Sequence, residues 1–208
     1  MGYAYHNCRN LTGSPVCGPN VTNMAGAYKN CSNLTGSPVC GNNIIDMSAI
    51  YSGCINLTGK PVCGPNVTNM RNAYYGCSNL TGTAIIGLKV NDASDAYYNC
   101  SNVKTIISYA IEPPAISNNT FYGIPSNVNI YVPAEAKNKY MSAWAPYADY
   151  VNRLYTIEEM PQNSYTVEVV EGAEYGFSLN ENGYYESENA GVDYSYAICK
   201  IKINSHGI

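Results

Sequence analysis

The chain has 208 residues, with 11 Lys or Arg against 15 Asp or Glu; 46% of residues are hydrophobic and 12% charged, and 21 Tyr stand against two Phe. That is too apolar and aromatic for a disordered segment, and long enough for one domain or for a repeat array with an appendage. Residues 1–110 carry six Lys or Arg against three Asp, and residues 111–208 carry five against twelve acids, so nucleic acid and anionic lipid find no basic footprint. Nothing approaches the roughly 20 apolar residues that cross a bilayer, and the opening Met-Gly-Tyr-Ala-Tyr has no signal-peptide run.

From its first residues the chain repeats every 23. Cys8, Cys31, Cys54, Cys77 and Cys100 keep this interval, as do Tyr5, Tyr28, Tyr51, Tyr74 and Tyr97, and Leu11, Leu34, Leu57, Leu80 and Val103. Val16, Val39, Val62 and Ile85 form a further column, followed by Cys17, Cys40, Cys63 and Ile86. A period of this length predicts a solenoid, because one unit cannot bury its apolar face alone and must stack on its neighbours. Met24, Ala27, Tyr28 and Cys31 lie at i, i+3, i+4 and i+7, the spacing of a short helical turn with its apolar side inward. The Leu and Pro-Val-Cys columns read as buried extended segments, and Gly13, Gly18 and their equivalents as corners.

Nine cysteines raise the question of disulfides or zinc, yet eight lie in two columns whose other members are Ile86 and, in a degraded sixth unit, Ile124. Isoleucine replaces packing and not sulfur chemistry, so the columns read as buried thiols used as small hydrophobes. The nine-residue gap from Cys8 to Cys17 also lacks the short spacing of structural zinc sites. Asn10, Asn33, Asn56, Asn79 and Asn102 form another column, and the first four head Asn-Leu-Thr triplets. A hydrogen-bonding ladder to the next unit's backbone explains them better than glycosylation, which would block stacking.

Columns that vary mark the face where packing does not dictate identity. One runs His6, Lys29, Ser52, Tyr75, Tyr98, and another, four residues back, runs Gly2, Ala25, Ser48, Arg71, Ser94. Lys29, Arg71, Tyr75 and Tyr98 are the candidate binding stripe, since Tyr and Arg dominate recognition hot spots and residues four apart on a helical turn are neighbours. A plain solvated face is the competing reading.

The rhythm degrades after Val103, and Thr120, Phe121 and Ile124 replay a sixth unit one residue late. Asn127 to Val132 reads as a last strand, and Pro133 opens a helical stretch, Ala134 to Tyr150, with the single Trp144 packing over the open end. The resulting domains are a solenoid over 1–156, its cap covering about 127–156, a linker over 157–163, and a small β-rich module over 164–208. In that module Tyr165 to Val169, Tyr175 to Leu179 and the run Ala197, Cys199, Ile201, Ile203 read as strands, with Asn182-Gly183 a hairpin turn. About 45 residues make a marginal core, so the module leans on a neighbour or on further sequence.

Met24, Ala27-Tyr28, Cys31, Leu34 and Pro38-Val39-Cys40, recurring to about residue 104, resemble the BspA-type leucine-rich repeats of bacterial surface proteins. Asn129-Ile-Tyr-Val-Pro133 before the Trp144 stretch is similar to that family's terminator. The departures are Tyr for Phe and Pro-Val-Cys-Gly-Pro for the more usual I-x-I-P. The resemblance covers about 155 residues and implies a right-handed leucine-rich-repeat-like superhelix for adhesion or protein binding, with no catalytic residues to carry over. Tyr175-Gly-Phe-Ser-Leu-Asn180, Gly183 to Ser187 and Ser195 to Cys199 look like a module of phage-encoded structural proteins.

Catalysis is not expected. His6 and His206 sit at opposite ends of the chain, the array offers only Asp46, Asp92 and Asp95 as acids, and no triad, carboxylate pair or phosphate loop appears. Asp92 and Asp95 read as ordinary turn carboxylates rather than a cation site. No cofactor or metal is implied, and the expected partner is a protein or glycan on a cell surface, with neither nucleic acid nor membrane insertion. The chain is then a noncatalytic repeat protein at a bacterial surface or secreted as part of a longer chain; the alternative is a phage virion or tail component.

Met1 occupies the column of Met24, Met47 and Met70, so we expect it to be an internal methionine of a longer protein. In-frame repeat sequence upstream in the source DNA is the expected finding, and a stop codon close upstream would sink it.

Overall fold

A computed structural model describes residues 1–161 together with the backbone of four later strands, Tyr165–Val169, Phe177–Leu179, Tyr185–Ser187 and Ile201–Ser205. The chain divides into two compact units, Met1–Met160 and Pro161–Ile208. The first is a repeat-like, strand-rich arrangement with few helices, built on a four-stranded parallel sheet. Its strands are β1 (Gly82–Ile86), β2 (Val103–Ser108), β3 (Ile130–Val132) and β4 (Leu154–Thr156), in that order. In the second, β5 (Tyr165–Val169) pairs antiparallel with β8 (Ile201–Ser205), and β6 (Phe177–Leu179) with β7 (Tyr185–Ser187). The expected Asn182-Gly183 turn, Cys199, His206 and most of the linker's C-terminal half lie outside the described residues.

The Met-to-Cys segments make the most regular contacts. Met24, Gly26, Tyr28 and Asn30 donate their N–H groups to the carbonyls of Asp46, Ser48, Ile50 and Ser52, at 2.7–2.9 Å. Ala27, Lys29 and Cys31 donate back to Met24, Gly26 and Tyr28, three residues earlier. The same alternation recurs at 47–54 and 70–77, so every amide in these segments has a partner, as a buried backbone requires.

This corrects the helical turn read from the spacing. Two positions in each segment take left-handed backbone, Gly26 and Asn30, then Ala49 and Gly53, then Asn72 and Gly76, then Asp95 and Asn99, and a left-handed residue interrupts an α-helix. Consecutive three-residue turns still put Met24, Ala27, Tyr28 and Cys31 inward, all at 2% exposure or less. The 3.6 period and this geometry therefore select the same buried residues, which is why the spacing misled.

The Pro-Val-Cys segments are a second correction. No strand forms at 15–17, 38–40 or 61–63; Val16 is 62% exposed, and Val39, Val62 and the three cysteines are only half-buried. Proline has no N–H to give a ladder and is excluded from sheet interiors. The first strand appears where Ala84 replaces the proline. In the three earlier units a tyrosine hydroxyl does the sheet's work. Tyr28 Oη donates to Val16 O at 2.8 Å and accepts Val16 N–H at 3.0 Å. Tyr51 does so with Val39 at 2.8 and 3.0 Å, and Tyr74 with Val62 at 2.6 and 3.0 Å. Tyr97 faces β1 and only donates, to Ile85 O at 2.6 Å. The Tyr5-to-Tyr97 rings stack in one file with centroids 5.1–5.7 Å apart.

Between these segments a one-residue ladder links Asn23, Asp46, Asn69, Asp92 and Ala115 by parallel bridges. The first four each also accept, through a side-chain oxygen, the N–H two residues on, at 2.8–3.0 Å. Such Asx turns fix the entry to every segment. At the sixth unit the extra residue interrupts the pattern, and Asp95 N–H is met by the buried Thr120 hydroxyl at 3.1 Å instead of a carbonyl.

The cap is broken into pieces rather than one helix: a 3-10 turn at Ala134–Ala136, then α1 (Lys137–Ala143) and α2 (Ala148–Val151). Four side chains tie it to the preceding unit. Tyr140, Trp144, Tyr147 and Tyr150 donate to the carbonyls of Ala110, Pro114, Ile116 and Asn118 at 2.8, 3.0, 3.0 and 2.6 Å. Val132 does not end the sheet, because β4 follows the cap in register with β3, Ile130 opposite Leu154. The cap thus lies between two adjacent strands of the sheet, with helices where the earlier repeats have a Met-to-Cys segment.

Replacing Tyr51 or Tyr74 with Phe keeps the ring stack but strands two backbone groups, so each is expected to cost about 1–3 kcal/mol. Tyr97→Phe, which loses a single bond, is expected to cost about half as much. Urea unfolding midpoints of the three variants check the order; equal midpoints would show that the hydroxyls carry no stability.

Candidate interaction surface

The first Cys column is more than filler. Cys31, Cys54, Cys77 and Cys100 are buried, and their thiols donate to the carbonyls of Tyr5, Tyr28, Tyr51 and Tyr74 at 2.9–3.2 Å. In the second column, sulfur sits over glycine: a Cβ on Gly41, Gly64 or Gly87 would come within 2.8–3.0 Å of Cys17, Cys40 or Cys63 Sγ. All eight cysteines of the two columns are free thiols, with Cys8 exposed. Burial raises the Cys54, Cys63 and Cys100 thiols to about 12 from 9.0, and raises Tyr140 to about 12 from 10.0. Among the described residues no group of three His, Cys, Asp or Glu is gathered to hold a metal.

The Asn ladder is on the surface. Asn10, Asn33, Asn56, Asn79 and Asn102 are all exposed. Asn56 and Asn102 Nδ2 donate to Ser32 O and Ser78 O at 2.9 and 2.8 Å, toward the preceding unit and not the next. The Thr of the triplets joins the same contacts, Thr58 Oγ1 reaching Gly36 O at 3.2 Å. Asp46 and Asp92 are held by their Asx turns, and Asp95 accepts the Ser117 hydroxyl at 2.6 Å.

Of the candidate stripe, the structure brings Tyr75 and Tyr98 together as stacked rings with centroids 4.3 Å apart. Desolvation, then the Tyr98 phenol, holds the Tyr75 pKa above its usual value. Tyr122, 58% exposed, stacks on Tyr98 at 5.3 Å and extends the file to three rings. His6 is exposed, Lys29 half-buried and Ser52 buried, so the stripe is closed in the middle and opens again at Arg71 and Tyr75. Arg71 is exposed, but among the described residues the cation–ring contacts are Lys137 with Tyr155 and Arg153 with Tyr150, and Arg71 makes none. The helical adjacency invoked for Arg71 and Tyr75 goes with the helix that is not there.

Tyr122 escaped the column arithmetic because the sixth unit runs one residue late. The signal was present in the aromatic doublets Tyr74-Tyr75, Tyr97-Tyr98 and Phe121-Tyr122, each an inner ring followed by an outer one. No protein-family model matches the chain, and no curated protein matches it. Among the described residues no helix is long and apolar enough to cross a membrane.

The desolvated thiols of Cys54, Cys63 and Cys100 make stability depend on alkaline pH. Between about 9 and 12 the unfolded chain releases thiol protons that the native chain retains, so the native state is progressively disfavoured as pH rises. Urea midpoints are expected to be flat up to about pH 9 and to fall above it; a flat profile to pH 11 contradicts the burial. In native protein Cys8 is expected to react with a thiol reagent well before Cys54, Cys63 or Cys100, and denatured, unreduced protein to titrate eight or nine thiols.

Proposed function

We propose that the chain is a noncatalytic, BspA-like leucine-rich-repeat solenoid, a right-handed stack of 23-residue coils with a C-terminal cap. In this reading it binds a protein or glycan at a bacterial surface through the outer stripe. The observation that carries the reading is the outer Tyr75, Tyr98, Tyr122 file, in which Tyr75 and Tyr122 are exposed and Tyr98 is half-buried between them. Tyr28, Tyr51, Tyr74 and Tyr97 are committed to backbone bonds and Asp46 and Asp92 to their Asx turns, whereas Tyr75 and Tyr122 are exposed. Stacked aromatics lose little side-chain entropy when they bind, because their neighbours already order them. Arg71, an exposed cation in the unit of Tyr75, supports the same face.

The phage reading is the alternative: the array serves as a spacer or host-recognition arm of a virion or tail part. It draws on the sequence of 175–199, within which the structure describes only β6 and β7.

Labelled protein applied to bacterial cells, to mucin and to epithelial surfaces tests both. Binding to mucin or epithelium is expected for the adhesin, and selective binding to bacteria for the phage component. The Arg71→Ala, Tyr75→Ala, Tyr98→Ala variant is expected to lose about tenfold or more in affinity, as hot-spot truncations do. Undiminished binding by that variant would remove the stripe, and binding to none of these surfaces would remove the function.

A further inference from the structure

A groove of about 830 Å³ lies between the sixth unit and the cap, lined by residues of 118–126 and 146–153. Its size is that of small-molecule sites. The floor is closed, and one donor in it, the buried Arg153 Nε, has no hydrogen-bond partner among the described residues. Phe121 and Tyr150 are buried, Tyr150 Oη donates to Asn118 O at 2.6 Å, and Arg153 Nη1 donates to Pro125 O at 3.1 Å with its guanidinium over the Tyr150 ring.

The rim is different in kind. Tyr122, Asn118, Ser126, Asp149 and Asn152 all line the groove and are exposed. Tyr98 covers one face of the Tyr122 ring, and among the described residues no ring covers the other. Tyr122 is therefore the last step of a ring file that ends at the groove. The Asp149 carboxylate makes no ion pair or hydrogen bond among the described residues.

We infer that this groove binds a neutral carbohydrate, with the free face of Tyr122 as the platform for a pyranose ring and with Asn118, Asp149 and Asn152 meeting its hydroxyls. A sugar presents a C–H face of ring size and a girdle of groups that both donate and accept. The same groove is lined by the exposed Tyr122 ring, two amides, a carboxylate and a hydroxyl. An apolar peptide would cover those polar groups without pairing them, which costs more than the one ring returns. An acidic sugar would meet Asp149 with like charge, while the neighbouring cation, Arg153, already bonds the backbone of Pro125 and stacks on Tyr150. The inference rests on the glycan branch of the proposed function and gives it a place and a charge class.

The test is ligand-observed NMR and calorimetry on the full chain with neutral trisaccharides of glucose, galactose, mannose and N-acetylglucosamine, and with their uronic acid or sialylated counterparts. At least one neutral trimer is expected to bind. Tyr122→Ala is expected to weaken it about tenfold, the size of an aromatic contact, and Asp149→Asn about threefold. Asp149 and Asn152 are surface positions, so Asp149→Asn and Asn152→Ala keep the test valid if Tyr122→Ala fails to fold. The inference is overturned if no neutral trimer binds, if only acidic sugars bind, or if neither Tyr122→Ala nor the two cap variants weaken binding. Cell-surface binding that survives the groove variants but is lost in Arg71→Ala, Tyr75→Ala overturns the groove alone. Absence of any surface binding overturns the proposed function with it.

Discussion

A single phenolic oxygen in each repeat settles how this chain is built. Proline at 15, 38 and 61 keeps those segments out of a sheet, yet the valine that follows has an N–H and a carbonyl that need partners. The hydroxyl of Tyr28, Tyr51 or Tyr74 supplies both, donating to one and accepting from the other. Phenylalanine cannot do this. The tyrosine column and the Pro-Val-Cys segments are therefore one coupled choice. Ala84 and β1 mark where the coupling relaxes, and Phe121 appears once paired strands have taken over.

That choice also decides which polar groups are already committed. Amides of the Met-to-Cys segments alternate between their own turn and the next unit, thiols reach Tyr carbonyls, and Asx and Asn side chains fill the corners. With the interior and the corners committed, the residues free to vary are those whose side chains point away from the stack. The outer ring file and the groove at its end belong to that set.

Much of the interior was legible, because a column of identical residues reports burial whatever the local backbone does. Tyr28, Tyr51, Tyr74 and the Cys31, Cys54, Cys77 column declared themselves in this way. What was hidden depends on angles that side-chain spacing does not encode. Met24, Ala27, Tyr28 and Cys31 carry a helical spacing, but left-handed residues at Gly26 and Asn30 turn the same positions inward by another path. The Pro-Val-Cys segments read as buried and extended from their apolar residues, while the proline beside them denies a sheet the N–H it needs. Tyr122 was lost to one inserted residue, and the groove beside it depends on packing between the sixth unit and α2, which no column predicts.

The alternating amides have a geometric corollary. Within the Met-to-Cys segments every backbone N–H that bonds to a carbonyl of another unit points toward the C-terminal neighbour, and the carbonyls that receive them face back. The peptide dipoles of that face add along the stack instead of cancelling as they do in a sheet. The face has a sense of direction, like a row of arrows. Two copies meeting head to head there would set acceptor against acceptor. A symmetric dimer through this edge is thus disfavoured by electrostatics alone, a safeguard against the edge pairing that strand-rich proteins otherwise meet with charge, bulges or proline.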